Sequence, residues 1–388
     1  MEKTTSENGR NMRHLGLLIL VGILCLGITT QAIAETTAIY GVIIDGTGND
    51  PIMDGVVVVS EDRIVAVGST ADVMIPEGAR EVRLANATIL PGFIDAHVHK
   101  AYDASVLSRW AASGVTTVRD LGADPEMDWD AVRDGFALDP SLATLVISGP
   151  LVTVPNGYAL RHGFPLAVAV ASPAKARATI RSLVSSGVDI IKIAIDSQSP
   201  IEEVMSLDVA KAIVEAAHEQ GVLMVAHAIY NEDLLIALEA GVDQLAHVVK
   251  GGVRIATIQT IVDRDIIMVS TLAIAGRGSS YMRNFVASGG LVALGTDSGA
   301  VGPVPAEMPI EEFHRMMRSG LDARGVIVAS TRNTALACGI EEEVGTLEIG
   351  KLADILVVAG DPLEEITVLG EAAFVMHHGT VVHEVPAE

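Results

Sequence analysis

Apolar segments with strand character alternate with helical stretches from about Leu90 to Gly339. The predicted strands are Gly92–His99, Thr116–Leu121, Leu145–Gly149, Asp189–Asp196, Leu223–Ile229, Gln244–Val249, Ile266–Ile274 and Leu291–Asp297. The clearest predicted helices are Pro173–Ser186, Leu207–Gln220, Glu232–Ala240 and Glu311–Ser319. Eight strands alternating with helices over about 250 residues are typical of a (β/α)8 TIM barrel. The sequence therefore predicts an α/β fold, with such a barrel formed by residues 89–340.

A doubly wound open sheet is the competing α/β architecture, and it would bring a glycine-rich phosphate loop after a strand. The best approximation to that loop, Gly276-Arg277-Gly278, continues as Ser279-Ser280-Tyr281 and lacks the third glycine. The sequence also contains no P-loop and no GxSxG nucleophile elbow. The barrel is therefore the favoured architecture.

Both ends of the chain beyond the leader contain short segments rich in β-branched residues and separated by turns. The predicted strands are Ala38–Ile44, Gly55–Ser60, Arg63–Val67, Glu81–Leu84, Asp354–Ala359, Ala373–His377 and Thr380–Val385. Because the two ends of a domain often lie close together, we expect residues 35–88 and 341–388 to form one small β-sandwich.

The first 34 residues are typical of a secretory leader. Arg10 and Arg13 precede an apolar run from Leu15 to Ile28, and Ala32-Ile33-Ala34 offers a small-x-small cleavage signal. The run is shorter than the ~20 residues needed to span a bilayer. We expect cleavage after this signal, which predicts an exported protein, periplasmic or secreted, without stable membrane insertion. A retained anchor is the alternative.

Charge and cysteine content narrow the possible functions. The formal net charge is −23, from 26 basic and 49 acidic residues, and a chain this acidic is repelled by nucleic acid. Once the leader and its Cys25 are removed, Cys338 is the only cysteine, which excludes an intrachain disulfide and a thiolate metal cluster. A homo-oligomer is compatible with the sequence, which does not determine the oligomeric state.

His97 and His99 lie two residues apart at the end of the first predicted barrel strand, so both side chains point to the same face. Such a pair is only a moderate metal signal, because surface histidine pairs are common. The apolar residues before it predict a buried strand, however, and two unpaired imidazoles would be costly there. The context therefore favours a metal site.

The same alternation selects three more polar residues on later strands. Lys192, His227 and His247 each lie in an apolar strand, on the face that points into the predicted barrel. A buried Lys192–Asp196 ion pair and ordinary core histidines are the alternative interpretations. A buried amine has a lowered pKa, and in its neutral form it can react with carbon dioxide to give an anionic carbamate ligand.

Asp297 ends the eighth predicted strand. An aspartate in that position can simply cap the following helix. In a closed barrel, however, the eighth strand lies beside the first, and Asp297 would then adjoin His97 and His99.

These residues belong to motifs that together resemble the amidohydrolase superfamily over nearly the whole mature chain, and most closely its imidazolonepropionase-like and Xaa-dipeptidase-like branch. The motifs are Leu90–His99, Ile191–Ile193, Ala226–Ala228, Ala246-His247, Gly295–Ser298, Thr331–Ala335, Gly345–Ile355 and Asp361-Pro362. They are specific for the superfamily and weak for the substrate.

The resemblance implies a site for two divalent metal ions with six ligands, namely His97, His99, Lys192, His227, His247 and Asp297. His97, His99 and Asp297 would bind the more buried ion, and His227 and His247 the second. Lys192 would bridge the two ions as N6-carboxylysine. Zinc suits such nitrogen and oxygen ligands.

The resemblance also implies a hydrolase acting on carbon–nitrogen bonds, with a metal-bridging hydroxide as nucleophile and Asp297 as general base and then acid. We expect a small substrate such as a dipeptide or an N-acyl amino acid. Candidate substrate contacts are Tyr230, Tyr158, His162 and Lys100. Relatives often have a tyrosine where this chain has Ile229, which leaves an oxyanion role for Tyr230 open.

Three alternatives remain at this point. A mononuclear deaminase or cyclic-amide hydrolase would use His97, His99, His227 and Asp297, with Lys192 as a structural residue. Ester, lactone or phosphotriester substrates suit the same nucleophile. A binding protein that kept the barrel without turnover belongs to another class, although the intact ligand set argues against it.

Overall fold

A computed structural model of the chain describes residues 36–164, 166–197, 203–275, 280–302 and 304–386. The predicted leader, residues 1–34, lies outside the described residues. Within the described ranges, no helix is long and apolar enough to cross a membrane.

The described strands fall into a mixed set at the two chain ends and a parallel set between them. In chain order they are β1 (Thr36–Ile43), β2 (Ile52–Ser60), β3 (Arg63–Ser69), β4 (Arg80–Pro91), β5 (Phe93–Val98), β6 (Val115–Asp120), β7 (Thr144–Ile147), β8 (Leu151–Thr153), β9 (Ala167–Ala169), β10 (Ile190–Ala194), β11 (Leu223–His227), β12 (Gln244–Ala246), β13 (Ile267–Val269), β14 (Val292–Ala293), β15 (Ile355–Ala359), β16 (Ala372–His377) and β17 (Thr380–Glu384).

The described helices connect the parallel strands and follow the last of them. They are α1 (Ala104–Ala112), α2 (Trp129–Ala137), α3 (Pro173–Ser185), α4 (Leu207–His218), α5 (Asn231–Ala240), α6 (Ile255–Asp263), α7 (Leu272–Ala275), α8 (Ser280–Ala287), α9 (Ile310–Arg318), α10 (Ala323–Ser330) and α11 (Arg332–Cys338). A short 3-10 helix spans Ile366–Gly370.

Local sequence explains where the clearest helices begin and end. The Ser172 hydroxyl accepts a hydrogen bond from the Lys175 amide at 3.3 Å, and Pro173 occupies the first turn of α3, where its missing N–H costs nothing. Helix α5 ends at Gly241, whose φ of 89° is readily available only to glycine. These signals are why α3 and α5 match their predicted bounds closely.

The two chain ends pair in one seven-stranded sheet with the order β17-β16-β15-β4-β1-β2-β3. Strand β4 joins them, because it runs parallel to β1 on one side and antiparallel to β15 on the other. This strand continues to Pro91, well past the predicted end at Leu84. Its second half is buried, and the pairing of Leu90 with Leu356 in β15 explains the extension.

Every pair of neighbouring strands between the chain ends is parallel, in sheets ordered β5-β6-β7 and β14-β13-β12-β11-β10-β8-β9. Backbone hydrogen bonds link both margins of the smaller sheet to the larger. Ala96 N donates to Leu294 O at 3.0 Å near β14, and Asp189 N donates to Ile147 O at 2.9 Å before β10. The predicted α/β class is confirmed.

Several predicted element bounds are wrong. The strand predicted over Ile266–Ile274 ends at Val269, and Leu272–Ala275 is helical. The buried Glu312 carboxylate accepts hydrogen bonds from Leu272 N and Ala273 N at 2.7 and 2.6 Å, which stabilises the start of this helix. Strands β8 and β9, three residues each, are too short to have produced a recognisable pattern.

Candidate functional site

Six polar side chains gather at the carboxyl ends of the parallel strands, and we call them the strand-end cluster. They are His97, His99, Lys192, His227, His247 and Asp297. Lys192 lies within β10, His97 lies in β5, and His227 is the last residue of β11. His99 and His247 immediately follow β5 and β12, and Asp297 lies shortly after β14. Because parallel strands end at one edge, the side chains converge there.

Asp297 lies between three of the histidines. Its Oδ1 is 3.1 Å from His99 Nε2 and 3.4 Å from His97 Nε2, and its Oδ2 is 4.0 Å from His247 Nδ1. Backbone hydrogen bonds produce this arrangement, since Asp297 N donates to His97 O and His99 N donates to Ser298 O, both at 2.7 Å. The structure therefore brings Asp297 beside His97 and His99, as the sequence predicts.

Two members of the strand-end cluster have strained backbones. His247 has a φ of 73° and Asp297 a φ of 60°, in the left-handed region that non-glycine residues seldom adopt. Such strain concentrates at functional sites, where the surrounding structure holds it in place. Thr271 contributes here, because its hydroxyl is hydrogen-bonded to His247 Nδ1 at 3.0 Å and orients the ring.

The surroundings of the strand-end cluster favour neutral rings at His97 and His247 and a charged carboxylate at Asp297. Burial, reinforced by the charge of Lys192, holds the pKa of His97 well below the usual imidazole value. Burial together with His227 does the same to the pKa of His247. Burial alone would raise the pKa of Asp297, but the hydrogen bond from His99 and the charges of His247 and Lys192 lower it. Neutral imidazoles and a carboxylate are the forms that bind metal ions.

Lys192 is 1% exposed, and its Nζ has no hydrogen-bond partner among the described residues. The alternative of a buried Lys192–Asp196 ion pair is not observed among the described residues, and the Asp196 carboxylate contacts His227 Nε2 at 3.0 Å. Burial lowers the pKa of Lys192 to about 7, against the attraction of Asp297. An unpaired buried amine is costly unless another group completes the site.

His227 has two partners outside the strand-end cluster, of which the sequence singled out Tyr158 as a substrate contact but did not assign a functional role to Asp196. Besides the Asp196 contact, the Tyr158 ring stacks on the His227 ring with centroids 4.3 Å apart. Burial lowers the pKa of His227, although the hydrogen bond with Asp196 opposes the shift. A metal ion bound at His227 Nε2 would require Asp196 to move or to share that ion.

Asp95 and Gly295 support the cluster and were missed as functional residues. Asp95 accepts hydrogen bonds from His97 N at 3.1 Å and from the Thr296 hydroxyl at 2.6 Å, so it ties β5 to the segment before Asp297. A Cβ on Gly295 would lie 2.8 Å from His97 Cβ, so only glycine allows this close approach. Asp95 shares the face of His97 along β5, which was the one available signal.

The four predicted substrate contacts have different surroundings in the structure. Tyr158 stacks on His227, and the ring of His162 follows with its centroid 5.9 Å from that of Tyr158. Tyr230 lies at the start of α5, and Lys250 Nζ is 5.7 Å from its ring centroid. Lys100 is exposed just after β5.

A cavity of about 580 Å³ adjoins the strand-end cluster. Its lining includes Thr296, Asp297, Met308 and Glu312. Of the described residues of the cluster, Asp297 alone lines it. The cavity therefore gives access to the carboxylate side of the site.

The donor set fits divalent metal ions. His97, His247 and Asp297 each offer a ligand atom, and these atoms all lie within 4.8 Å of one another. The Nδ1 atoms of His97 and His99 and the Nζ of Lys192 have no hydrogen-bond partner in the described chain. Imidazole and carboxylate ligands suit zinc and similar ions.

Comparison with known proteins places the whole arrangement in a family. The amidohydrolase family model matches residues 88–382. The ochratoxinase of Aspergillus niger is 26% identical to this chain in an alignment 420 positions long. That alignment covers 89% of this chain and 85% of the relative. Imidazolonepropionase from Symbiobacterium thermophilum is 25% identical over 361 residues, covering 79% of this chain and 84% of the relative.

The fold of this chain is also similar to that of solved structures. A Xaa-Pro dipeptidase, crystallised with methionine in its active site, matches with a TM-score of 0.78 and 23% identity, covering 89% of this chain and 99% of that one. The family model spans most of the chain, including every member of the strand-end cluster. The chain belongs to the amidohydrolase family and is a hydrolase that acts on carbon–nitrogen bonds.

Proposed function

We propose that this protein hydrolyses an amide bond of a small substrate, such as a dipeptide or an N-acyl amino acid, with two divalent metal ions. The observation that carries the proposal is the convergence of Asp297 on His97, His99 and His247, beside the buried and unpartnered Lys192. Relatives named as a dipeptidase and as an imidazolonepropionase support a small substrate.

His97, His99 and Asp297 are proposed to bind one ion and His227 and His247 the second, with Lys192 bridging them. Zinc is the proposed metal, because the ligands are nitrogen and oxygen atoms of the kind that zinc binds. When bound, such ions polarise a substrate carbonyl and lower the pKa of water.

The bridging role of Lys192 requires carboxylation. The neutral amine adds to carbon dioxide and releases one proton, which converts Nζ into an anionic carbamate with two oxygen ligands. Complete burial and the lack of a hydrogen-bond partner support this reaction, because the carbamate would fill an otherwise unsatisfied site.

Asp297 is proposed to move the proton. Its carboxylate stays ionised through the hydrogen bond from His99, so it can accept a proton from the attacking water. The same carboxyl then donates that proton to the leaving amine. Thr271 holds His247 in position through the contact to Nδ1.

The surrounding architecture is proposed to be a closed (β/α)8 barrel of residues 89–340, with residues 35–88 and 341–388 in a small β-sandwich. The hydrogen bonds at both margins of the smaller parallel sheet support closure. Residues 1–34 are proposed to export the protein to the periplasm or the medium.

Metal analysis of the purified protein with Lys192→Ala tests the binuclear proposal. The parent chain should contain about two divalent ions, and the variant should lose on the order of 100-fold in metal affinity and most of its amide hydrolysis. Lys211→Ala is the control, because Lys211 is an exposed lysine paired with Glu239 at 3.1 Å.

Unchanged metal content and activity in Lys192→Ala would refute the carbamate bridge and favour the mononuclear alternative. Activity should be screened on dipeptides, N-acyl amino acids, lactones and phosphotriesters. Binding of dipeptides without turnover of any of these would contradict the proposed enzyme and favour a binding protein.

A further inference from the structure

A second group of histidines and a carboxylate lies on the mixed sheet, outside the strand-end cluster. Asp354, His377 and His378, which we call the hairpin cluster, each offer a ligand atom, and these atoms lie within 4.8 Å of one another. Asp354 and His377 are 4% and 2% exposed. Buried polar groups of this kind need partners.

The turn between β16 and β17 brings the two histidines together. Consecutive residues of a strand point to opposite faces, so His377 and His378 would normally diverge. His378 and Gly379 have φ values of 46° and 74°, as the two central residues of a tight hairpin turn require. With this turn, the two rings stack with centroids 4.0 Å apart.

The hydrogen bonds of His377 show that Nε2 is the nitrogen that could bind a metal ion, in place of the hydrogen bond it accepts from the Thr144 hydroxyl. Its Nδ1 is 2.9 Å from Pro140 O, and since a carbonyl can only accept, Nδ1 carries the proton. The lone pair is therefore on Nε2, which lies 3.1 Å from the Thr144 hydroxyl and 3.9 Å from Asp354 Oδ2. Metal-binding histidines commonly donate their second N–H to a backbone carbonyl in this way.

Asp354 supplies the anionic group. Its Oδ1 accepts a hydrogen bond from His378 N at 2.9 Å, which fixes the carboxylate against the turn. Its Oδ2 is buried and has no hydrogen-bond partner in the described ranges. An unpaired carboxylate oxygen is costly inside a protein unless a cation approaches it.

We propose that Asp354, His377 and His378 form a second metal site. This site would bind a single zinc-like divalent ion with a structural role. Ligands around a tetrahedral zinc ion lie ~3.3 Å apart, so the observed 3.9 Å from His377 Nε2 to Asp354 Oδ2 needs only a small contraction. The ion would tie the β16–β17 hairpin to Asp354, just before β15, beside the Pro140 carbonyl and the Thr144 hydroxyl that His377 contacts. Water or the Thr144 hydroxyl completes the coordination.

Zinc binding by the full chain with His97→Ala, His99→Ala, His227→Ala and His247→Ala reports the hairpin cluster separately from the strand-end cluster, because these changes remove the histidine ligands of both proposed ions there. After chelation and dialysis against zinc, this variant should bind one ion per chain at the hairpin cluster. Adding His378→Asn should weaken that binding by about 100-fold, because asparagine suits the left-handed turn but lacks the imidazole.

His383→Asn is the matched control, since His383 lies on the same hairpin and its Nε2 is 3.0 Å from the Ala372 carbonyl rather than in the hairpin cluster. It should leave zinc binding unchanged. Asp354→Asn provides an independent second loss of binding, and circular dichroism checks that each variant is folded. Equal zinc binding with and without His378→Asn and Asp354→Asn, or no binding in the parent variant, would overturn the proposal.

Discussion

The strand-end cluster and the hairpin cluster use the same side-chain chemistry but are built in different ways. The strand-end cluster draws residues from segments as far apart as β5 and the end of β14, joined by hydrogen bonds such as His99 N to Ser298 O. In the hairpin cluster, adjacent histidines meet a carboxylate only 24 residues before His378. One depends on many strands, the other on a single turn.

The two clusters also differ in burial and in the cavities beside them. Asp297 lines a cavity of about 580 Å³ at the strand-end cluster. In the hairpin cluster, Asp354 and His377 are buried and are bonded to the turn, the Pro140 carbonyl and the Thr144 hydroxyl, while the half-buried His378 lines a cavity of about 480 Å³. The larger cavity beside Asp297 suits a substrate, and the buried Asp354 and His377 suit the ligands of a structural ion.

The largest expected effect is on kcat, and it should distinguish the carboxylate of Asp297 from that of Asp354. Asp297→Asn should reduce kcat by ~10²- to 10⁴-fold, since it removes the proposed general base. The same change at Asp354 should leave kcat within about twofold, because Asp354 O accepts a hydrogen bond from Gly92 N just before β5, at the end of that strand opposite the strand-end cluster. Steady-state kinetics on the substrate found by screening measure both.

Equal losses of kcat in the two variants would break the comparison, because they would show that both carboxylates act in turnover. Circular dichroism of both proteins excludes unfolding as a common cause.

The next effect tests the close packing that the strand-end cluster requires. In Gly295→Ala, the new Cβ would lie 2.4 Å from Val269 Cγ1 and 2.8 Å from His97 Cβ. Such overpacking should lower the free energy of unfolding by about 1 to 3 kcal/mol and displace His97. Denaturant unfolding and metal content measure the two consequences.

Gly135→Ala is the control for Gly295→Ala. Gly135 lies in the exposed part of α2, and a Cβ there meets no atom within 4 Å. Alanine should stabilise this helix by about 0.5 to 1 kcal/mol. A Gly295→Ala protein that is as stable and as active as the parent would contradict the proposed packing constraint.

A smaller effect is expected from the ionisation of the Glu312 carboxyl group. Glu312 lines the same cavity as Asp297. Burial raises the pKa of Glu312 to about 7, despite its hydrogen bonds from Leu272 N and Ala273 N. Because the folded-state pKa exceeds the unfolded one, the associated stability is present below the ordinary glutamate pKa and is lost as pH rises through about 7.

The free energy of unfolding of the parent relative to Glu312→Gln should therefore fall by on the order of 1 kcal/mol between pH 5 and pH 8. Urea unfolding at these pH values measures it. Glu311→Gln, at the exposed neighbour on α9, should show no such trend. An identical pH dependence in both variants would exclude Glu312 as the titrating group.

Much of the strand-end cluster was predictable, because alternation along a strand is a local property. His97 and His99 share one face by their spacing, and Lys192 and His227 follow the same rule in their own strands. The resemblance to the family motifs then implied that these residues belong to one metal site. Their metal-binding and catalytic roles stay predictions, whereas the α/β class and the family are confirmed.

The supporting residues were harder to predict. Thr271 and Glu312 act through contacts to His247 and to the start of α7, and nothing in their local sequence indicates those partners. The strand predicted up to Ile274 was wrong for the same reason, since the capping carboxylate comes from a helix some 40 residues later.

The sequence by itself determined which strand residues point to a common face and that the chain is an amidohydrolase. Only the tertiary structure decided that Asp196 contacts His227, that Lys192 has no hydrogen-bond partner among the described residues, and that His377 stacks on His378. The physical reason is that side-chain direction follows from the two-residue period of one strand. Proximity depends instead on hydrogen bonds and turns that join distant segments, and these form only as the whole chain folds.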